Sequence, residues 1–191
     1  MPFWDSALSE PRRSHRFILT LPNLDEYQQY LAKKVTKPSF KVGETPHKFL
    51  GNTYYYPGSV EWSPVSCTIV NAVNPDGNDM LYKALVESGY LPPDVQYQAI
   101  SDGRAGTVNK SQSLEALGDV VIQELDGRGI VAGTWKLMNS FITEAKFGDL
   151  DYSSDDILNI DLTFRYDWGQ YVVGRAVGDN QVDAAFSGAS G

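Results

Sequence analysis

The most regular stretch of the chain is residues 156–168, DILNIDLTFRYDW, where Leu158, Ile160, Leu162, Phe164, Tyr166 and Trp168 alternate with Asn159, Asp161, Thr163, Arg165 and Asp167. A period of two predicts a β-strand with one dry face and one wet face. Residues 65–73 repeat the pattern more briefly, with Val65, Cys67, Ile69 and Asn71 on one side and Ser66, Thr68 and Val70 on the other. Residues 16–21, RFILTL, read as a short strand closed by the Pro22-Asn23 turn. Residues 27–36 read as a second strand, stopped at Lys37-Pro38 because the residue before proline is driven into extended geometry. These two are expected to pair as a hairpin. Residues 119–125 and 133–148 supply further strand candidates, joined through Asp126-Gly127-Arg128-Gly129, which has hairpin-turn composition.

The period changes once. After the turn Asn74-Pro75-Asp76-Gly77, Leu81, Ala84, Leu85 and Ser88 share one face of a helix, which Asp76 or Asn78 can cap and Gly89 can end. Three regions carry no period. Residues 39–60 are aromatic and extended but broken by Gly43, Pro46, Gly51 and Pro57-Gly58, so an irregular excursion is expected there instead of a core strand. Residues 91–117 read as a loop insertion with a short strand over 95–100, and residues 173–191, small and polar, as a flexible tail. The sum is a mainly β protein: a two-sheet β-sandwich or barrel of about seven strands with one α-helix, forming one domain over residues 1–172.

Composition narrows the function classes. The chain has 16 Lys+Arg against 24 Asp+Glu, a formal net charge of −8, which argues against a protein that grips nucleic acid or anionic lipid. With Cys67 as its one cysteine it forms no intrachain disulfide and no cysteine-cluster metal site. No apolar run of signal-peptide length occurs in residues 1–15 and none long enough to span a membrane occurs elsewhere, so synthesis in the cytoplasm and no membrane insertion are expected.

Candidate chemistry is sparse. His15 and His47 have no partner at ligand spacing, and no serine stands in a nucleophile-elbow context. Gly103-Arg104-Ala105-Gly106 lacks the Gly-Lys-Ser/Thr ending of a phosphate loop. The carboxylates Asp149/Asp151 and Asp155-Asp156 fall in a solvated turn, without the spacing of a calcium loop. Tyr54-Tyr55-Tyr56 with Trp62 could stack on bases, but no basic stripe accompanies them, so a protein contact is the better reading. No enzyme activity, cofactor or metal is expected.

Four stretches taken in order resemble the major tail tube proteins of T-even-type contractile-tail phages, with type VI secretion and pyocin tube proteins as wider relatives. They are RFILTL with YQQYLAKKVTKPSF, then VGETPHKFLGNTYYYPGSVEW, then VSCTIVNAVNPDGNDMLYKALVES, then WKLMNSFITEAKFGDLDYSSDDILNIDLTFRYDW. The resemblance implies a tail-tube fold and a non-enzymatic viral structural protein of the virion tail. It implies hexameric rings, each subunit giving four strands to an inner barrel, stacked into a tube that conducts double-stranded DNA during ejection. Its partners would be other copies of itself, a tail sheath protein, and baseplate and tail terminator proteins. A baseplate tube initiator, a tail terminator or a secretion-system tube of the same fold is the alternative.

Twenty-four strands about 4.8 Å apart and tilted about 40° close at a backbone radius of roughly 24 Å, leaving a bore of about 38 Å once side chains are subtracted. That is wider than a DNA duplex. Six copies of a −8 chain carry a formal charge of about −48, so the ring as a whole repels phosphate. For contacts between subunits the candidates are Gly43, His47, Phe49, Tyr54, Tyr55 and Tyr56. For the lumen they are Gln28, Tyr30 and Lys34 on one strand and Lys136, Ser140 and Glu144 around another.

Overall fold

A computed structural model describes residues 11–24, 31–93 and 107–174. Among these, ten strands and two helices follow in order. They are β1 (Phe17–Thr20), β2 (Ala32–Val35), β3 (Phe40–Phe49), β4 (Asn52–Trp62), β5 (Val65–Val70) and α1 (Gly77–Glu87). Then come α2 (Lys110–Leu117), β6 (Val120–Leu125), β7 (Val131–Met138), β8 (Phe141–Lys146), β9 (Asn159–Arg165) and β10 (Trp168–Val173). Two four-stranded antiparallel sheets, β1-β6-β7-β10 and β2-β5-β9-β8, face each other, and β3-β4 forms a third, two-stranded sheet. The chain is therefore mainly β, as its alternating pattern predicts.

The strongest pattern also makes the core. Ile160, Leu162 and Phe164 of β9 are fully buried beside Val65, Cys67 and Ile69 of β5, and they meet Val120, Ile122 and Leu137 from the opposite sheet. At about 1.5–3 kcal/mol for each large apolar side chain, this double layer supplies most of the driving force. The alternation does not run on to Trp168 as expected. β9 ends at Arg165, the chain turns at Tyr166 and Asp167, and Trp168 opens β10 on the other sheet, half exposed.

Four other expectations are corrected. β1 pairs with β6 and β2 with β5, so the expected β1–β2 hairpin is replaced by one strand in each sheet. Each short strand gains a long central neighbour that way, with Leu19 set beside Ile122. Residues 133–148 are two strands, because the chain breaks at Asn139, at φ 56°, and crosses between sheets. Residues 39–60 are a regular hairpin, with Pro46 opposite Tyr55 and Pro57 opposite Glu44; a two-stranded ribbon tolerates proline because every strand has a free edge.

The fourth correction is α2, inside the expected 91–117 loop. The Asn109 side chain accepts the Gln112 N–H at 2.9 Å, an N-cap that starts this helix, and also donates to the Gln112 side chain at 2.5 Å. Ser113, Ala116 and Leu117 are its buried side. α1 is capped as expected, by Asp76 accepting the Asn78 N–H at 2.9 Å. The short strand expected over 95–100 and the tail beyond residue 174 lie outside the described residues.

Candidate assembly surfaces

The β3–β4 arm is built to stand alone. Its strands pair in register from Phe40↔Trp62 to Phe49↔Asn52, shifting once between Val42 and Glu44, where Gly43 sits. Opposite it, Gly58 packs closely: a Cβ on Gly58 would lie 3.2 Å from the Gly43 carbonyl oxygen, whereas one on Gly43 would make ordinary contact with Ser59 at 3.5 Å. At the tip, Leu50 (φ 47°) and Gly51 (φ 78°) form a two-residue turn of the left-handed kind that twists with its strands. At the base, Trp62 packs on Tyr166 with ring centroids 5.9 Å apart and on Phe40 at 5.4 Å, and its ring lies close over Gly169, 3.0 Å from where a Cβ there would stand. Beyond that anchor, Val42, Phe49, Leu50, Tyr54, Tyr55, Tyr56 and Val60 are all exposed, Leu50 to 83%.

This arm gathers all six residues expected at subunit contacts. Gly43 forms the bulge, His47 lies opposite Tyr54 with its ring 6.4 Å from that of Tyr56, and Phe49 borders the tip. The lumen candidates do not stay together. Lys34 and Glu144 lie on the outer face of the β2-β5-β9-β8 sheet, where Lys34, Thr68, Asp161 and Lys146 form one cross-strand row. Thr68 donates to Asp161 at 2.6 Å within that row, and Lys146 pairs with Glu144 at 3.2 Å. Lys136 belongs to the other sheet, paired with Asp119 at 3.1 Å. Ser140 faces no lumen: it is fully buried, accepting the Val120 N–H at 3.1 Å and donating to the Gly118 carbonyl at 2.8 Å. The two-residue crossover turns it inward. Gln28 and Tyr30 lie outside the described residues.

Both main sheets end in edges that no described strand covers: β1 and β10 on one, β2 and β8 on the other. Such edges are an aggregation liability unless something pairs with them. Beside β8, the helices α1 and α2 enclose an apolar groove of about 550 Å³, lined by Leu81, Tyr82, Leu85, Val108, Phe141 and Phe147 among others. The sequence hides this groove because it is made only when α2 docks on β8.

A second feature without a sequence signal joins the sheets. Glu124 of β6, nearly buried, takes Arg12 on one side and Lys37 at 2.5 Å on the other, and Arg12 also donates to the Tyr171 hydroxyl at 3.0 Å. Burial by itself would raise the Glu124 carboxyl, but Lys37 and Arg12 outweigh it and hold the group below the usual glutamate range. Near the groove, Asp167 receives Lys110 at 2.7 Å and Asn139 at 2.8 Å, which fixes the start of α2 to the β9–β10 turn and lowers the Asp167 carboxyl. Among the described residues no three His, Cys, Asp or Glu side chains gather where they could hold a metal. Nor is any described helix long and apolar enough to cross a membrane.

No protein-family model matches the chain, and no curated protein matches it. Solved structures do. A chain of the anti-feeding prophage tube-terminating cap aligns with a TM-score of 0.59 at 20% identity, over 88% of this chain and 95% of that one. One from the sheath/tube terminator of the PVC extracellular contractile injection system gives 0.58 at 16% identity, over 87% and 100%. One from the anti-feeding prophage baseplate gives 0.56 at 16%, over 88% and 99%. The fold is thus the one found in contractile-injection tube assemblies, in line with the resemblance drawn from the sequence.

Proposed function

We propose that this chain is the structural, non-enzymatic subunit of a phage tail tube, forming hexameric rings that stack into a conduit for DNA. The observation that carries this reading is the sheet β2-β5-β9-β8: four antiparallel strands, with no described strand on either edge and a polar outer face. Because four strands alternate in direction, a copy related by simple rotation offers its β2 antiparallel to the β8 of its neighbour. Every such junction is identical and head-to-tail, so six close a 24-stranded barrel without leaving an edge. The polar row of Lys34, Thr68, Asp161 and Lys146 then faces the bore. It is wet and of mixed sign, with Asp161 held by Thr68 and Lys146 paired with Glu144, which gives a duplex little to hold.

The net charge of −8 per chain supports passage without binding. The exposed arm is the contact to an adjacent subunit. Sheath, baseplate and terminator proteins are the partners this role requires, the virion tail is its place, and the host cytoplasm is where the chain is made. Residues 1–172 act as one tube domain. The alternative is a terminator or initiator ring of the same fold, favoured by the likeness to a cap chain and a terminator chain. Negative-stain imaging of the purified protein tests the reading. Hexagonal rings with a central hole, or rods of constant width, are expected, and compact monomers under all conditions overturn it. Copy number in the particle separates the two roles, since a terminator contributes a single ring.

A further inference from the structure

The arm and the groove stand at opposite ends of one sheet. The chain enters the arm on leaving β2 and returns from it into β5, whereas the groove lies along β8, at the far edge of β2-β5-β9-β8. Pairing β2 of one copy with β8 of the next therefore carries the arm of the first toward the groove of the second. Residues 40–49 of the arm span about 34 Å, enough to cross such a junction.

The tip also has an unusual residue. Turns of this hand are ordinarily built from Asn, Asp or Gly, yet Leu50 occupies the first turn position at φ 47° and is 83% exposed. A strained backbone that presents a bare leucine to water is explained by a partner that buries it. Phe49 beside it is exposed as well, so the tip is not seated in its own groove. Residues 45–56 carry one formal charge, Lys48, and the groove is lined mostly by apolar side chains, so tip and groove match in character.

We propose that the α1–α2–β8 groove is the acceptor for the arm tip of a second copy, with Phe49 and Leu50 filling it. This rests on the ring reading above and adds the identity of the contact. Donor and acceptor differ, so each subunit gives one arm and receives one, which makes the ring directional and leaves no free tip when it closes.

Cysteine pairs in the assembled full-length protein test it. Under mild oxidation a Leu50→Cys, Leu85→Cys variant is expected to give a ladder of cross-linked species ending at the closed ring. Leu50→Cys with Val73→Cys, at an exposed site outside the groove, gives none; Cys67, being buried, does not compete. Rings that form but cross-link at position 73 and not at 85 overturn the groove assignment while leaving the ring intact. Leu85→Glu is expected to raise the concentration needed for assembly at least tenfold with an unchanged melting curve, as Leu85 is partly exposed. Wild-type-like assembly of that variant also overturns the assignment. Failure of the wild type to assemble removes the ring reading and this contact with it.

Discussion

Ser140 offers the sharpest test of how the two sheets are joined. Between β7 and β8 the chain passes from one sheet to the other in two residues, and the Ser140 hydroxyl bridges the Val120 N–H at 3.1 Å and the Gly118 carbonyl at 2.8 Å. Val120 is fully buried, so Ser140→Ala leaves its N–H without a partner and without water, a cost of about 1–3 kcal/mol. The Gly118 carbonyl is half-buried and can turn to solvent, adding a few tenths at most. A loss of about 2 kcal/mol is expected. With a urea slope of about 2 kcal/mol/M, the midpoint falls by about 1 M. Tryptophan fluorescence on dilute, unassembled protein reads this directly, with Lys34→Ala as an exposed control expected to stay within about 0.5 kcal/mol. The Val120 amide should also exchange faster with deuterium in the variant. A midpoint shift below about 0.25 M, equivalent to less than about 0.5 kcal/mol, refutes the bridge and returns Ser140 to the surface role that its sequence position suggests.

Three further outcomes are expected. Glu124 is held below its ordinary value of 4.5, so it stabilises the fold fully above that pH and loses this contribution as pH falls through the folded-state value. Glu124→Gln should therefore lower the melting temperature at pH 7 and shrink the difference between pH 7 and pH 3.5; an equal acid-induced loss in both proteins would exclude the Arg12–Glu124–Lys37 cluster as its source. Burial pushes the Cys67 thiol up to about 12, and at pH 8 a disulfide reagent should modify native protein at least 100-fold more slowly than urea-unfolded protein, with comparable rates counting against its core position. Removing residues 44–57 and joining Gly43 to Gly58 should change monomer stability by no more than about 1 kcal/mol, since among the described residues the ribbon pairs only with itself, while abolishing rings in electron micrographs. Loss of the monomer fold would show that the arm supports the sandwich.

Much of the core was legible. β5 and β9 could be read because each buries one face only, so alternation records burial directly. α1 was legible from its cap and its stripe. α2 carried a readable signal too, the Asn109 N-cap, but its eight residues give too few turns for a period to stand out. The arm was misread as irregular because its glycines and prolines break core strands. A ribbon with both faces in water is under no such constraint, and its exposed tyrosines gave no alternation to follow.

By itself, then, the sequence determined a mainly β chain with one dry layer and a surplus of acid, since local period and net charge are properties of neighbours along the chain. Tertiary structure alone decided that β1 and β2 part company, that Ser140 is interior, that Arg12 and Lys37 meet at Glu124, and that α1, α2 and β8 enclose a groove. Each of these depends on which strands become neighbours in a sheet. That choice is made by burying the most apolar area across the whole chain, and residues 20 to 112 positions apart carry no mutual mark in the sequence.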